Sequence, residues 1–194
     1  NFTSIGKPLF ARAHFGNYLP NMRPGVDYKK LYVADKDEGG VVLDGIHELD
    51  YLSWLLGPIE RSIGAVAQLG DLEIEAEDYA SMVFWHRDNV KSELHLDFLR
   101  PHKRRGCEIV GSKAILDWES SGKNPEHCLV RLFANQQEII LLDTDNLDFA
   151  APLRILMQNF INAISGHHHD LQSGEEGLRL LKTALRSRGL GLNE

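Results

Sequence analysis

Apolar residues punctuate this chain in two different periods. Residues 5–19 alternate: Ile5, Leu9, Ala11, Ala13 and Phe15 are set against Lys7, Arg12 and His14. That period of two predicts a strand entering from Gly6-Lys7-Pro8. The pattern then lapses over 16–40, where Gly16, Pro20, Pro24 and Gly25 lead to the charged stretch Asp35-Lys36-Asp37-Glu38 and to Gly39-Gly40. These residues predict a loop, and one of such length inside a domain is more often functional than idle. Ile46, Leu49, Leu52 and Leu56 then step by three or four. They predict a helix over 41–56, stopped by Gly57-Pro58. A competing local reading makes Val41-Val42-Leu43 a strand that turns at Asp44-Gly45, but the period that follows favours the helix.

From 59 to 143 the period returns to two. Candidate strands are 59–69, 79–87, 90–99, 106–111, 114–119, 129–134 and 138–142, with turns at Arg87-Asp88-Asn89 and Gly111-Ser112-Lys113. Short connections predict antiparallel neighbours. Two amphipathic helices close the chain, over 152–165 and 174–188, the second opening with a Ser173-x-x-Glu176 capping box. The implied fold class is α+β: a large, predominantly antiparallel open sheet with helices packed on one face. The apolar content of Val83, Phe84, Leu94, Leu96 and Phe98 predicts that the other face is covered too, which points to a homo-oligomer built through the sheet.

Composition narrows the classes of function. The 194 residues carry 21 Lys and Arg against 28 Asp and Glu, a formal charge of −7. The basic excess of a nucleic-acid or anionic-membrane binder is missing. No apolar run approaches the roughly 20 residues of a membrane helix. Cys107 and Cys128 form no C-x-x-C pair, so a reduced, cytoplasmic setting is expected. The first residues lack the charged and apolar regions of a signal peptide, and there is no initiator Met. The chain therefore reads as one piece of a longer protein.

Chemistry concentrates in Gly39-Gly40-x-x-x-Asp44-x-x-His47-x-x-Asp50. On a helix Asp44, His47, Asp50 or Tyr51, and Trp54 share one stripe, opposite the leucines. An imidazole with a carboxylate one turn before it is a plausible acid/base unit, because the carboxylate fixes the tautomer. The plainer reading is a surface or capping histidine. A zinc protease is excluded, since the second His of H-E-x-x-H is missing.

The same stretch, continued by Leu52 and Leu55-Leu56-Gly57, resembles the catalytic-helix motif of the Gfo/Idh/MocA oxidoreductases. Tyr18-Leu19-Pro20 and Pro24-x-x-Asp27-Tyr28 resemble the substrate loop of a sugar-modifying branch of that family. Gly174-Glu175-Glu176-Gly177-Leu178 and Ala184-Leu185-x-Ser187 resemble its last helix. The resemblance implies that residues 1–194 are a single C-terminal α+β domain of a larger dehydrogenase. Its N-terminal Rossmann domain, absent from this chain, would bind NAD or NADP. No G-x-G-x-x-G follows a strand here, and Lys7-Pro8 is not the family's Glu-Lys-Pro motif because no Glu precedes it. The chain alone is therefore expected not to turn over.

By the same resemblance His47 is the base in alcohol oxidation and the acid in reduction, with Asp44 orienting it or holding a neighbouring hydroxyl. Many family members place this Asp four residues before the His; here the spacing is three. Arg12, Tyr18, Arg23, Tyr28 and Asp50 are candidates for a carbohydrate pocket, Arg suiting a carboxylate or phosphate. The alternative for the loop residues is solvated packing. His95, Arg100 and His102 read more readily as strand surface, His167-His168-His169 as a loop tract rather than a metal site, and Lys103-Arg104-Arg105 as a solvated turn. Trp54, Trp85 and Trp118 suit core or interface packing. The expected partner is a small carbohydrate, with no nucleic acid, membrane or metal. The competing class is a non-catalytic oligomerisation or small-molecule-binding module on the same fold.

Overall fold

A computed structural model describes residues 3–122, 126–148 and 150–189. Strand β1 (Pro8–Gly16) is followed by α1 (Leu19–Met22), two short 3-10 turns, α2 (Val41–Asp44) and α3 (Ile46–Leu56). Strands β2 (Ile59–Ala67), β3 (Tyr79–His86), β4 (Lys91–Asp97), β5 (Arg104–Gly111), β6 (Ile115–Gly122), β7 (Glu126–Ala134) and β8 (Gln137–Thr144) come next. Helices α4 (Ala151–Ile164) and α5 (Gly174–Ser187) close the order. The strands form one eight-stranded sheet in the order β2-β3-β4-β1-β5-β6-β7-β8. This is the α+β open sheet that the sequence predicts. All pairings are antiparallel except β1 with β4, where Ala13 lies beside Leu94 in parallel register. That exception arises because the chain leaves β1 through the helices, starts again at the sheet edge with β2, and works back inward.

Turn chemistry accounts for the hairpins. Asp88 and Asn89 take the left-handed φ values of 61° and 63° that join β3 to β4. Short polar side chains adopt that region more readily than branched ones do.

Helices α3 and α5 pack over the half of the sheet around β1 to β4. Ala11 and Ala13 of β1 are buried beneath Leu49 and Leu52 of α3, their small side chains letting the helix approach. Phe84, Leu94, Leu96 and Phe98 belong to this same core. The expectation that they cover the opposite face is corrected: alternation puts four of the five under the helices, and only Val83 faces the other way. At the edge, α5 lies directly on β2. A Cβ on Gly64 would stand 2.5 Å from the Ser187 carbonyl oxygen, so glycine is needed there for the close approach. The capping box that opens α5 is formed, Ser173 accepting from the Glu176 N–H.

Three further expectations change. The helix expected over 41–56 is two helices, broken at Gly45. A Cβ there would lie 2.9 Å from the Val41 carbonyl oxygen and 3.0 Å from Leu96. The loop over 16–40 contains α1 and the two 3-10 turns. Helix α4 buries none of its residues: Leu153, Ile155, Leu156, Met157, Phe160, Ile161 and Ile164 are all exposed. Among the described residues no helix is long and apolar enough to cross a membrane.

A buried ion pair ties the end of α5 to the start of α2. Arg188 Nη2 donates to Glu77 Oε2 at 2.6 Å and to the Lys36 carbonyl at 2.9 Å. Glu77 in turn accepts from the N–H of Val42 at 3.2 Å, while its carbonyl accepts from Val41 at 3.0 Å. Gly40, at φ 90°, passes so close that a Cβ would stand 2.2 Å from Glu77 Oε1. Replacing Arg188 with leucine strands a buried carboxylate, and is expected to cost about 3–5 kcal/mol in urea unfolding. A loss under about 1 kcal/mol, the scale of an exposed pair, would show that the pair does not pin this junction.

His86 joins the end of α3 to β4. Its Nδ1 is 2.7 Å from the Gly57 carbonyl and its Nε2 is 2.7 Å from Ser92 Oγ. A carbonyl only accepts, so Nδ1 carries the proton and Nε2 accepts from the serine. Burial lowers its pKa below 6.5, partly offset by the Gly57 bond. The neutral ring is the folded form, so its stabilisation is complete above pH 6.5 and is lost as the pH falls through the lowered value. Proton NMR should show His86 titrating below 6.5; a midpoint at or above 6.5 contradicts this assignment.

Candidate active site

The helix carrying the predicted stripe begins where Glu77 holds it. Gly39 and Gly40 bring the chain against Tyr32, Val33 and Glu77 without room for a side chain. From that turn α2 places Asp44, and α3 places His47, Asp50 and Trp54. The His47 side chain is 48% exposed. Its ring meets Phe15, at the end of β1, edge-on with centroids 6.1 Å apart. The imidazole therefore stands at the surface, outside the leucine core, on the helix side of the sheet.

The carboxylate beside it is not the one the sequence pointed to. Asp44 accepts a 2.6 Å hydrogen bond from the Tyr32 hydroxyl. Within ion-pair distance of His47 Nε2, at 3.1 Å, stands Glu48 Oε1, whose side chain is 0% exposed. The same oxygen lies 2.6 Å from Arg105 Nε. Arg105 also lies over Trp118, 5.3 Å from its centroid, and Trp118 meets Tyr51 edge-on. Burial pushes the Tyr51 hydroxyl far above its ordinary value, and pushes the Cys107 thiol up to about 12. Both stay protonated at neutral pH, so Cys107 is no nucleophile here. Glu48, Arg105 and Tyr32 were missed from the sequence. One signal was available for Glu48: four residues before Leu52, it is a charged residue on the side of the helix that turns toward the leucines.

The other candidates separate into three places. Arg23, Tyr28 and Asp44 line one small cavity with Leu19, Met22 and Val33. Tyr28 donates its hydroxyl to the Leu72 carbonyl at 3.0 Å, and Tyr18 caps α1 nearby. Asp50 lies in a cleft of about 580 Å³ between α3 and α5, with Trp54, Asp170, Gln172 and Glu176. There Gln172 donates to Asp50 at 2.8 Å. Trp54, expected in a core or an interface, is 81% exposed. Arg12 stands apart: it projects from the face of β1 opposite Phe15 and pairs with Glu93 at 3.1 Å, so the structure does not bring it to the His47 side. On that open face His95 lies 2.9 Å from Asp97 and Arg100 3.5 Å from it.

The basic run is not the solvated turn it was expected to be. Arg104 opens β5, and Lys103, Arg104 and Arg105 reach Glu126, Glu119 and Glu48 respectively. His167, His168 and His169 are exposed. Among the described residues no cluster of three or more histidine, cysteine or acidic side chains could hold a metal.

The glycine turn before α2 does not fit a dinucleotide. The space a pyrophosphate would need is taken by the Glu77 carboxylate, 2.2 Å from the Cβ position of Gly40, and like charges repel.

Residues 3–117 match the family model described as the GFO/IDH/MocA C-terminal domain. The chain belongs to that family. It is 26% identical over 186 residues to 1,5-anhydro-D-fructose reductase from Ensifer adhaerens, covering 93% of this chain and 53% of the relative. Among solved structures, it superposes with a TM-score of 0.71 on an oxidoreductase from Agrobacterium radiobacter in complex with NAD+, L-tartaric acid and magnesium. That pair is 17% identical, covering 96% of this chain and 56% of the other. A UDP-N-acetylglucosamine 3-dehydrogenase from Acidithiobacillus ferrooxidans gives a TM-score of 0.66 at 17% identity, over 96% and 54% of the two chains. These two likenesses show the fold, and this chain spans about half the length of the relatives it matches.

Tyr32 supplies a test of the pocket geometry. Its hydrogen bond to Asp44, aided by burial and by the charge on Asp44, raises its pKa to about 12. The protonated phenol is the bonded form, so its contribution is full below pH 10 and is lost as the pH rises through about 12. Comparing phenolate absorbance in the parent chain and in Tyr32→Phe should show the missing phenol titrating near 12. A missing step at 10 would mean that Asp44 is free.

Proposed function

We propose that this chain is the substrate-binding and proton-transferring half of an NAD(P)-dependent oxidoreductase that acts on CH–OH groups of a sugar, sugar acid or nucleotide-sugar. The observation that carries this reading is the half-exposed imidazole of His47, held at the head of α3 inside the family's glycine, aspartate and histidine pattern. The named activities of the curated relative and of the Acidithiobacillus enzyme, both on sugar derivatives, support the substrate class.

In this reading NAD or NADP is held mainly by a Rossmann domain outside this chain, and when bound it supplies the exchange of hydride at the carbinol carbon. The work of this chain is on the proton. His47 takes the hydroxyl proton as the carbon is oxidised, or returns it on reduction, and a base in hydrogen-bond reach is what that step requires. Asp44, kept in place by Tyr32, offers an acceptor to a neighbouring hydroxyl, while Asp50, held by Gln172, faces the separate cleft between α3 and α5. Tyr18, Arg23 and Tyr28 line the loop side, and Arg23 offers a two-pronged contact to a carboxylate or phosphate.

A second copy of the chain is the proposed cover of the open sheet face, where Phe10, Ile63 and Ile140 are exposed. Arg12 would then serve assembly rather than substrate. Buried, unpaired Cys107 and Cys128 are consistent with work in the reducing cytoplasm.

The test is His47→Ala in the complete protein, assayed with NAD(P) and a panel of sugars. Turnover should fall by about 10²–10⁴-fold with folding intact. A change under about threefold would favour a binding module over an enzyme.

A further inference from the structure

The carboxylate of Glu48 is the buried charge on α3 that faces both Arg105 and His47. It is fully buried on the inward side of α3, and neither of its oxygens has a hydrogen bond of good geometry. Placing a carboxylate there is unfavourable unless it is paired. Its ion pair with Arg105 does not explain it, because a buried pair of this kind can usually be replaced by apolar side chains without loss of stability. What the carboxylate does reach is the imidazole of His47, at 3.1 Å.

We propose that Glu48 is the positioning residue of this site. Its buried carboxylate, 3.1 Å from Nε2 of His47, draws that edge of the ring inward by charge and favours the proton on Nε2, so that the ring exchanges protons with substrate through Nδ1. The proposal rests on the reading of His47 as acid/base and deepens it. Three facts on the page support it. The two other carboxylates on the stripe are occupied elsewhere, Asp44 by Tyr32 and Asp50 by Gln172. Arg105 is only 29% exposed and anchors the shared oxygen from β5, with its guanidinium over Trp118. The remaining neighbours of the carboxylate, Tyr51 and Cys107, are kept protonated chiefly by burial, so neither adds a second charge beside the ring.

The proton balance is simple. The substrate hydroxyl loses H⁺ to Nδ1, Nε2–H is retained, and the imidazolium is balanced by Glu48. In the reverse direction Nδ1–H returns the proton. A carboxylate placed against the ring nitrogen remote from substrate fixes tautomer and orientation without touching the substrate.

Two readouts test this in the complete protein. The first is a double-mutant cycle. Glu48→Leu should lower kcat by about 10–100-fold, less than loss of the base itself, with KM within about threefold. The same substitution in a His47→Ala background should have almost no further effect, because Glu48 acts only through the ring. An equal loss in both backgrounds would show a merely structural residue and overturn the proposal, as would full activity of Glu48→Leu. The second readout does not depend on activity. In protein labelled with 15N at histidine, and assigned with His47→Ala, the ring 15N resonances of neutral His47 should carry the signature of a protonated Nε2 and a bare Nδ1. That signature should weaken in Glu48→Leu and in Glu48→Gln, which removes the charge at nearly constant shape and covers the case where the leucine variant fails to fold. Its absence from the parent protein, or its unchanged survival in these variants, overturns the proposal. If His47→Ala leaves turnover intact while the signature behaves as described, the positioning stands and the acid/base reading falls.

Discussion

The carboxylate of Glu77 decides where the helix pair that carries Asp44 and His47 starts. It accepts the N–H of Val42, excludes any side chain at Gly40, and is neutralised by Arg188 from the C-cap of α5. The contact joins residues 111 positions apart, so the head of α2 is set by tertiary structure rather than by local propensity. A four-residue helix is not stable by itself, since nucleation outweighs its few hydrogen bonds. Once α2 is fixed, Gly45 lets α3 restart at a new angle close against Leu96, and the direction of His47 follows. The same clamp leaves no space for a side chain at Gly40.

The carboxylates of the stripe are divided among different partners. Asp44 belongs to Tyr32, Asp50 to Gln172, and Glu48 to Arg105 and His47. Each assignment removes a freedom that would otherwise leave the imidazole with several competing acceptors. The leucines on the far side seat α3 on Ala11 and Ala13, and the rigid β1 strand carries Phe15 against the ring. In the proposed reading, rigid support of this kind keeps the imidazole within the narrow geometry that proton transfer needs.

Much of the fold was legible from periodicity. All eight strands, the capping box of α5 and the hairpin at Asp88-Asn89 follow from alternation and turn residues. The parallel pairing of β1 with β4 did not, because short connections say nothing about a strand that the chain leaves early and rejoins from the sheet's edge. The facing of Phe84, Leu94, Leu96 and Phe98 was misassigned because an apolar strand does not reveal which of its sides meets the helices. At the site, His47, Asp44 and Asp50 could be picked out as one helical stripe. Arg105 and Tyr32 could not, since they reach it from distant turns of chain. Arg12, chosen for its chemistry near the loop, ended on the other side of the sheet because strand alternation, not side-chain type, decides facing.

The most direct measurement is a crystal structure of the complete protein with its nicotinamide cofactor and a sugar ligand bound. This account predicts a ring nitrogen of His47 at about 3 Å from the carbinol oxygen on the carbon that faces the nicotinamide. A different side chain in that place, with His47 turned away from the sugar, would contradict it.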